Sequence, residues 1–338
     1  MRRIKKCTVF LLLLCLLLNL AGCAAAQKPL RVTLVLKTVT EVAEFWGTLL
    51  SGVEKAAEEY GVELKVLTSP REIDIDKQIE LIRQVTADKP DVMILSAADY
   101  DRCAEATEEA IAAGIGVVAI DTDVNAAGRA CFVGSNSYEI GLEMGRAMAS
   151  YLPEGGKVAV IQHMLTTTTG IERTRGVLDA LNEAGNIEIL GSFCCDNSTE
   201  QAQTITTELL SADPEIRGFV CTNEVCNVGA ANALVELGMG GRVYVVGCDN
   251  SQRQIQFLEQ NIIQAIVTQR PFNMGYVAVQ QAVRVANGEQ TDDFPFPVLL
   301  QDAKPVVEYL PGWQCDISGA RKWEDLPQEA RNYVEYLE

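Results

Sequence analysis

The sequence predicts an α/β protein made of two similar halves, each with a parallel sheet covered by helices on both faces. Three observations support this fold class. Short, continuous apolar runs alternate with amphipathic segments of helical length, which is typical of buried parallel strands and their crossover helices. The alternation starts a second time near Lys157. Both sets also end alike, since GVVAIDTD at 116–123 and VYVVGCDN at 243–250 each lead from an apolar strand into an aspartate.

In the first half, β-branched and apolar runs predict strands, and apolar residues at helical spacing predict helices. The first helix is expected to stop at Gly61, a residue that tolerates the left-handed conformation of a helix end. The predicted strands are Arg31–Leu36, Val62–Leu67, Val92–Leu95 and Val117–Ile120, and the predicted helices are Glu44–Tyr60, Asp74–Ala87 and Asp99–Ala113.

The second half repeats this order and is followed by a different tail. The tail carries Trp313 and Trp323 and a helix that begins near Pro327, which we expect to dock on the body; a helix that binds a partner is the alternative. The predicted strands of the second half are Lys157–Gln162, Ile187–Phe193, Gly218–Thr222 and Val243–Gly247, and its predicted helices are Gly170–Ala184, Ser198–Ala212, Val225–Leu237 and Ser251–Gln260.

The N-terminus has the form of an export signal. Four basic residues among the first six precede an apolar run, Val9 to Leu18, that is too short to remain a membrane span. The Leu20-Ala21-Gly22-Cys23 sequence that follows resembles the lipobox of bacterial lipoproteins. This resemblance implies that residues 1–22 are removed, that Cys23 carries lipid, and that the protein is extracytoplasmic and tethered to the bacterial cell membrane. An ordinary cleaved signal peptide is the alternative.

Composition excludes several classes of function. The 28 basic and 46 acidic residues give a net charge of −18, which opposes binding to nucleic acid, because phosphate binding needs a basic face. The chain has one histidine, His163, so a metal centre with several histidines is excluded. We therefore expect no metal and no cofactor.

The cysteines show no disulfide framework. Two of the 11 cysteines would be removed with the signal peptide, and Cys23 would be lipidated. Those that sit in apolar, strand-like runs are expected to act as small buried hydrophobic residues, although the spacing leaves a single bridge open. The eight that remain are Cys103, Cys131, Cys194, Cys195, Cys221, Cys226, Cys248 and Cys315.

Polar side chains follow the predicted strands, where open parallel sheets bind their ligands. They are rich in carboxylate, amide and guanidinium groups, which can bond pairs of hydroxyls, and they contain no nucleophile with its base. Phe45 and Trp46 follow the first strand and would form an apolar wall against a sugar ring. The residues at these positions are Ser96, Asp121 with Asp123, Ser135 with Asn136, Asn223 with Glu224, Asp249 with Asn250, and Gln269 with Arg270; Arg173 and Arg175 lie on a nearby helix.

Two other functions fit parts of this pattern. Asp121-Thr122-Asp123 after an apolar strand resembles the paired aspartates of haloacid-dehalogenase-type phosphatases, but Asn125 stands where that family has Thr or Val. A sensory protein with the same fold would report its ligand to a membrane histidine kinase or a chemoreceptor. Its binding residues would be the same, so the sequence leaves this alternative open.

From Leu30 to Gln301 the chain resembles the ribose-binding-protein-like periplasmic sugar-binding proteins, the partners of ABC importers. The resemblance depends on the order and spacing of several short motifs, none of which is specific alone. They are Phe45-Trp46, Ser51-Gly52, VVAID ending at Asp121, GSN at 134–136, IERTRG at 171–176, CTNE at 221–224, VVGCDN at 245–250 and IVTQRPFNMG at 266–275.

The resemblance implies a non-enzymatic, monomeric protein that captures a small sugar or polyol between two lobes and delivers it to an ABC permease. The three hinge crossings would lie near Ser135, near Arg270 and before Val298. It implies an N-terminal lobe of 30–134 plus 271–296, a C-terminal lobe of 135–270 plus 297–315, and a docked tail of 316–338. The ligand-binding residues it implies are Phe45, Trp46, Ser96, Asp121, Arg175, Asn223, Asp249 and Gln269.

The chain departs from the family pattern around the pocket. An Asn that usually precedes the aromatic pair is absent from Val42-Ala43-Glu44, and Thr122 stands where an Arg is common. An aromatic residue is missing near Asn197, and Ser96 replaces an Asn. These differences make ribose itself a poor fit and leave another pentose, a hexose, an inositol or a furanosyl signal molecule as candidates.

Overall fold

The structure is a computed structural model that describes residues 28–38, 44–301, 319 and 322–331. Strands and helices alternate along residues 31–301 as the apolar pattern predicts. The strands are β1 (Arg31–Leu36), β2 (Glu63–Thr68), β3 (Val92–Leu95), β4 (Gly116–Ile120), β5 (Cys131–Ser135), β6 (Gly156–Gln162), β7 (Ile187–Cys194), β8 (Ile216–Cys221), β9 (Tyr244–Cys248), β10 (Ala265–Thr268), β11 (Phe294–Phe296) and β12 (Leu299–Gln301). The helices are α1 (Glu44–Tyr60), α2 (Ile75–Asp88), α3 (Ala104–Ala112), α4 (Ser137–Tyr151), α5 (Thr168–Ala184), α6 (Thr199–Ala212), α7 (Glu224–Glu236), α8 (Gln252–Glu259) and α9 (Pro271–Ala286).

Two six-stranded sheets form the frame. Their strand orders are β2-β1-β3-β4-β5-β11 and β7-β6-β8-β9-β10-β12, so the first five strands of each half are arranged in the same way. Every strand pair is parallel except β10 with β12. This repeated topology explains why the two sequence halves end alike. The α/β fold class predicted from the sequence is confirmed.

Each sheet has an apolar core on both faces. We call the sheet that contains β1, together with the helices packed on it, the first lobe. The sheet that contains β6, together with its helices, is the second lobe. In the first lobe, α1 and α9 cover one face, whereas α2 and α3 cover the other. In the second lobe, α4 and α5 cover one face, and α6, α7 and α8 cover the other. The strands are therefore buried on both sides, which accounts for their continuous apolar sequences.

The chain passes between the two lobes three times. It leaves the first sheet after β5, because α4 packs on the second sheet. It returns after β10, because α9 packs against α1, and it crosses again between β11 and β12. The strands of each sheet therefore point their carboxyl ends toward the region where the lobes meet, which is where ligands bind in open parallel sheets.

Two predicted helices start more than one residue away from the predicted position. The helix expected from Asp99 begins at Ala104, because Asp99 Oδ1 accepts the backbone N–H groups of Asp101 at 3.0 Å and Arg102 at 2.8 Å and forms a turn. The helix expected from Gly170 begins at Thr168. The apolar alternation assigned no element to β5, α4, β10, α9, β11 or β12.

Residues 303–338 form a unit of their own. The described part, residues 319 and 322–331, contains a 3-10 helix at Trp323–Asp325 and a helical turn at 328–331. The docking of the tail stays a prediction. The signal peptide, Cys23 and Cys315 lie outside the described residues. Among the helices that are described, none is long and apolar enough to cross a membrane, and the seven described cysteines are free thiols.

Candidate functional site

A closed cleft lies between the lobes at the carboxyl ends of their strands. It encloses about 400 Å³, including its opening to solvent. Six of its polar side chains come from positions one or two residues after a strand, which is the location predicted from the sequence. These six are Lys37 after β1, Asp121 after β4, His163 after β6, Asn223 after β8, Asp249 after β9 and Gln269 after β10.

The two aspartates hold equivalent positions in the two lobes. Both have left-handed backbones, with φ of 61° at Asp121 and 73° at Asp249. In each case the backbone N–H donates to a carbonyl of the neighbouring strand, Val133 for Asp121 and Val267 for Asp249. Non-glycine residues with positive φ are uncommon and cluster at functional sites. The repeated Asp thus turns its carboxylate out of the strand direction and into the cleft.

Neighbouring donors fix the Asp249 carboxylate. Gln269 Nε2 donates to Asp249 Oδ1 at 2.7 Å, and the backbone N–H of Glu224 donates to Oδ2 at 3.1 Å. Asn223 caps α7 by accepting the N–H of Cys226 with its side chain. Its amide then donates to Asn197 Oδ1 at 2.8 Å. Hydrogen bonds within the second lobe therefore hold three residues that were predicted from the sequence: Asn223, Asp249 and Gln269.

On the first lobe, a buried lysine holds two acids together. Lys37 Nζ lies 2.9 Å from Glu72 Oε1 and 3.3 Å from Asp121 Oδ2. All three side chains are buried. Burial lowers the pKa of Lys37, but Glu72 and Asp121 more than offset this, so the pKa lies above its ordinary value and the amine stays charged.

Arg173 lies in the cleft, whereas Arg175, the arginine implied by the family resemblance, does not. Arg173 is 3% exposed and its Nη1 donates to the carbonyl of Thr222 at 2.9 Å. Arg175 lies on the outer face of α5, where it pairs with Glu172 and stacks on Tyr138. The expectation for Arg175 is corrected accordingly. Arg173 falls on the same helical stripe as the buried residues Thr169, Val177, Ala180 and Leu181.

The two predicted aromatic residues line the cleft together. The rings of Phe45 and Trp46 meet edge to face, with centroids 5.1 Å apart. Trp46 is 5% exposed and also belongs to the core of the first lobe. Lys37 Nζ lies 5.7 Å from the Trp46 ring. The pair forms a rigid apolar wall beside the polar groups.

Ser96 and Asp123 do not reach the cleft. The Ser96 hydroxyl is fully buried and hydrogen-bonds with Thr122 Oγ1 at 3.1 Å beneath the cleft floor. Asp123 pairs with Arg129, Nε to Oδ1, at 2.7 Å. Asp121 and Asp123 thus face different partners, unlike the two cooperating carboxylates that the phosphatase alternative requires.

Eight residues that line the cleft were not among the predicted ligand contacts: Lys37, Glu72, His163, Thr169, Arg173, Asn197, Glu224 and Val225. His163 is buried between Thr222 Oγ1, 2.7 Å from Nδ1, and Thr169 Oγ1, 3.2 Å from Nε2. Burial, together with the nearby charge of Lys37, lowers the pKa of His163 well below its ordinary value. His163 is therefore a neutral, hydrogen-bonded side chain in the cleft wall.

Glu224, the first residue of α7, brings a fourth carboxylate to the cleft. Its side chain is buried, and burial, followed by the charge of Asp249, raises its pKa to about 7. Four acids and two basic residues, Lys37 and Arg173, therefore line the cleft. Carboxylate, guanidinium and ammonium groups can hydrogen-bond with several hydroxyl groups of one small ligand. No group of three or more His, Cys, Asp or Glu side chains in the described ranges is arranged to hold a metal ion.

The lobes touch at the rim of the cleft as well as inside it. Thr166 Oγ1 donates to the carbonyl of Ala98 at 2.9 Å, and the N–H of Tyr100 donates to the carbonyl of Thr166 at 3.0 Å. Nearby, the N–H of Asp123 donates to Thr168 Oγ1 at 3.0 Å. The structure is therefore a closed arrangement of the two lobes.

Comparison with known proteins identifies the family. The family model for the periplasmic binding protein domain matches residues 33–290. The chain belongs to this family. The match confirms the resemblance and covers both lobes of this periplasmic binding protein. A second model, for adenylosuccinate synthetase, matches residues 268–338, of which 268–290 are shared with the first match.

Individual relatives of this periplasmic binding protein are similar over most of their length. The D-allose-binding periplasmic protein of Escherichia coli (strain K12) is 26% identical over 276 residues, which are 79% of this chain and 87% of the relative. A solved structure of GanP, a glucose-galactose binding protein from Geobacillus stearothermophilus, has a TM-score of 0.78 and 26% identity, and the match covers 83% of this chain and 99% of GanP.

A further solved structure contains a bound sugar. It is an ABC transporter periplasmic solute binding protein from Actinobacillus succinogenes 130z with bound D-allose. Its TM-score is 0.75 at 26% identity, and the match covers 81% of this chain and 98% of that protein.

Proposed function

We propose that this protein captures a small sugar or polyol between its two lobes and delivers it to an ABC importer. One observation carries the proposal: both lobes send planar polar side chains, Asp121 from one and Asn223, Asp249 and Gln269 from the other, into one closed cleft beside an aromatic wall. Relatives named for D-allose and for glucose and galactose support a carbohydrate ligand.

Closure would convert binding into a signal for the permease. A ligand that touches both lobes makes more contacts in the closed form than in the open form, so it shifts the population toward closure. The importer would then recognise the closed, loaded protein. No chemical change of the ligand is part of this function, and the protein would act as a monomer.

A thermal unfolding screen tests this proposal. A soluble protein that starts at Ala24 would be heated with each member of a panel of pentoses, hexoses, amino sugars, inositols, other polyols with and without an amino group, and furanosyl compounds. A ligand at about 100 times its Kd adds about 2.7 kcal/mol of stability, which should raise the Tm by several degrees. If no compound in the panel shifts the Tm, the carbohydrate function is refuted.

The proposal includes a lipid anchor on Cys23 outside the cytoplasmic membrane. The full chain, expressed in bacteria, should partition with the membrane fraction and incorporate labelled fatty acid. Cys23→Ser should abolish both, whereas Cys15→Ser, within the signal segment, should change neither. Incorporation of label into the Cys23→Ser protein would contradict the anchor.

A further inference from the structure

A side pocket opens from the cleft and is lined by acids. It measures about 520 Å³, including its open mouth, and shares Phe45, Glu224, Asp249 and Gln269 with the cleft. Glu44 lies on its other side. Three of its lining side chains are therefore carboxylates, and neither Lys nor Arg is among them. A negative pocket of this kind favours a positively charged group.

One of these carboxylates has an oxygen without a partner. Glu224 is 3% exposed and lines both the cleft and the side pocket. Its Oε2 has no hydrogen-bond partner among the described residues. A buried polar atom left in this state costs free energy. The atom is therefore free to accept a hydrogen bond from a bound ligand.

The basic residues of the cleft make their direct contacts with groups other than Glu224. Lys37 is held between Glu72 and Asp121, and Arg173 Nη1 donates to the carbonyl of Thr222. Within the described ranges, no Lys or Arg forms an ion pair with Glu224. The Glu224 carboxyl hydrogen-bonds with the Ser251 side chain and the Glu44 backbone, and Oε2 alone has no partner. Arg173 is close enough for the charge of Asp249 to raise its pKa, so the protein partly offsets Asp249 but supplies no ion-pair partner to Glu224.

We propose that the natural ligand carries a protonated amino group, so that it is an amino sugar or an amino polyol, and that Glu224 receives this group beside Asp249. The inference rests on the proposed capture of a sugar or polyol. An ammonium group donates up to three hydrogen bonds, which suits the free Oε2 of Glu224 and the charge of Asp249. The ring hydroxyls would remain in the main cleft, against the aromatic wall.

Matched pairs of compounds test the proposal by isothermal titration calorimetry of the mature protein at pH 7.5. Each pair sets an amine beside its neutral parent: glucosamine with glucose, galactosamine with galactose, and 1-amino-1-deoxysorbitol with sorbitol. N-acetylglucosamine keeps the nitrogen but loses the charge. We expect at least one amine to bind roughly tenfold or more tightly than its neutral parent, and acetylation to abolish that gain.

The outcomes separate this inference from the proposed function. Neutral sugars that bind more tightly than their amines would overturn the amino-group proposal and leave sugar capture intact; Glu224 would then donate its own proton to a hydroxyl. If neither class binds, sugar capture itself is refuted, and the amino-group proposal with it.

A substitution at Glu224 tests whether the preference for an amine over its neutral parent depends on this side chain. Glu224→Gln keeps the shape of Glu224 and removes its charge, so the affinity ratio of amine to parent should fall by roughly tenfold. Glu236→Gln, at the exposed end of the same helix, is the matched control and should leave the ratio unchanged. An unchanged ratio in Glu224→Gln would overturn the assignment. If that variant does not fold, the comparison of amine with N-acetyl compound in the unaltered protein decides the matter.

Discussion

Asn197 Nδ2 lies 2.8 Å from Glu72 Oε2, so a side chain of the second lobe donates a hydrogen bond to a buried carboxylate of the first. The other carboxylate oxygen of Glu72 lies 2.9 Å from Lys37 Nζ, and Asn197 in turn accepts from Asn223. A continuous polar chain therefore crosses the cleft. It stabilises the closed arrangement through contacts that belong to the protein alone.

Removal of the Asn197 side chain should therefore weaken ligand binding. Asn197→Gly is the suitable change, because residue 197 has a φ of 54°, which glycine adopts without strain. Loss of one net hydrogen bond is worth about 0.5–1.5 kcal/mol, so we expect an affinity about 2- to 10-fold lower by calorimetry.

Asp196→Gly provides the control for this change. Residue 196 also has a positive φ, 48°, and among the hydrogen bonds of the described residues its side chain makes none with the first lobe. Its affinity should equal that of the unaltered protein. Equal affinity in Asn197→Gly as well would show that the link between Asn197 and Glu72 does not favour closure.

The two arginines of α5 should differ sharply in their effect on binding. Arg173→Met removes a buried guanidinium from the cleft, and we expect at least a tenfold loss of affinity, about 1.4 kcal/mol. Arg175→Met removes a guanidinium from the outer face of the same helix and should change affinity by less than twofold. Calorimetry on both variants measures this. A loss confined to Arg175→Met would reverse our assignment of the cleft arginine.

Asp249 should be the most sensitive acid in the second lobe. Asp249→Asn would place an NH₂ group opposite either Gln269 Nε2 or the N–H of Glu224, both of which now donate to the carboxylate. A buried donor left without an acceptor costs about 1–3 kcal/mol, so affinity should fall by roughly 5- to 150-fold. Calorimetry measures the ligand affinity of this variant and of a control, Glu208→Gln, which alters an exposed acid on α6. Equal affinities would remove Asp249 from the binding site.

Glu224 should make the stability depend on pH. Its pKa is raised from the ordinary 4.5 to about 7, first by burial and then by the charge of Asp249. Between these values the folded protein holds more protons than the unfolded chain, so the unfolding free energy falls as pH rises through this window and levels off above about 7. Glu224→Gln removes this dependence.

Urea unfolding at pH 5, 6, 7 and 8 measures the effect. The unfolding free energy of Glu224→Gln, relative to the unaltered protein, should rise from pH 5 to 7 by an amount on the order of 2–3 kcal/mol and then stay constant. His163, whose pKa is lowered by burial, gives the opposite slope below about pH 6.5, but it is present in both proteins and cancels. A difference that is flat from pH 5 to 8 would show that Glu224 is ionised throughout.

The sequence predicts well which residues lie at the carboxyl edge of each sheet. The periodicity of apolar residues and the position of a residue after a strand can both be read from a short stretch of sequence. Apolar runs mark the strands, and the residue after each run must lie at the carboxyl edge; Asp121, Asp249 and Gln269 reach the cleft for this reason. The same rule applies to Lys37, directly after β1, which the prediction overlooked because Lys is usually an exposed residue.

Other parts of the site depend on information that strand position does not contain. Arg173 and Arg175 differ only in helical phase, and the apolar stripe through Val177 and Leu181 selects Arg173. Ser96 is at a strand end, but its hydroxyl is held by Thr122 below the floor. Glu72 lies in the loop between β2 and α2, where no periodic pattern exists; only the tertiary contact with Lys37 reveals it.

Two glycines of α1 provide a test of how the chain returns to the first lobe. A Cβ at Gly52 would lie 2.0 Å from the carbonyl oxygen of Phe272 at the start of α9, so Gly52 is what allows the two helix backbones to approach. A Cβ at Gly47, one and a half turns earlier, would meet nothing within 4 Å. The same substitution should therefore have opposite effects at the two positions.

Gly52→Ala must push α9 away from α1, and we expect it to lower the unfolding free energy by about 1–3 kcal/mol, as overpacking does. Gly47→Ala should raise the unfolding free energy by about 0.4–1 kcal/mol, since it restrains the unfolded chain without creating a contact. Chemical denaturation of both variants measures these changes, with ligand affinity as a second readout. Because α9 begins two residues after Gln269, displacement of α9 should also weaken binding in Gly52→Ala. Equal stability of the two variants would show that α1 and α9 are not closely packed at Gly52.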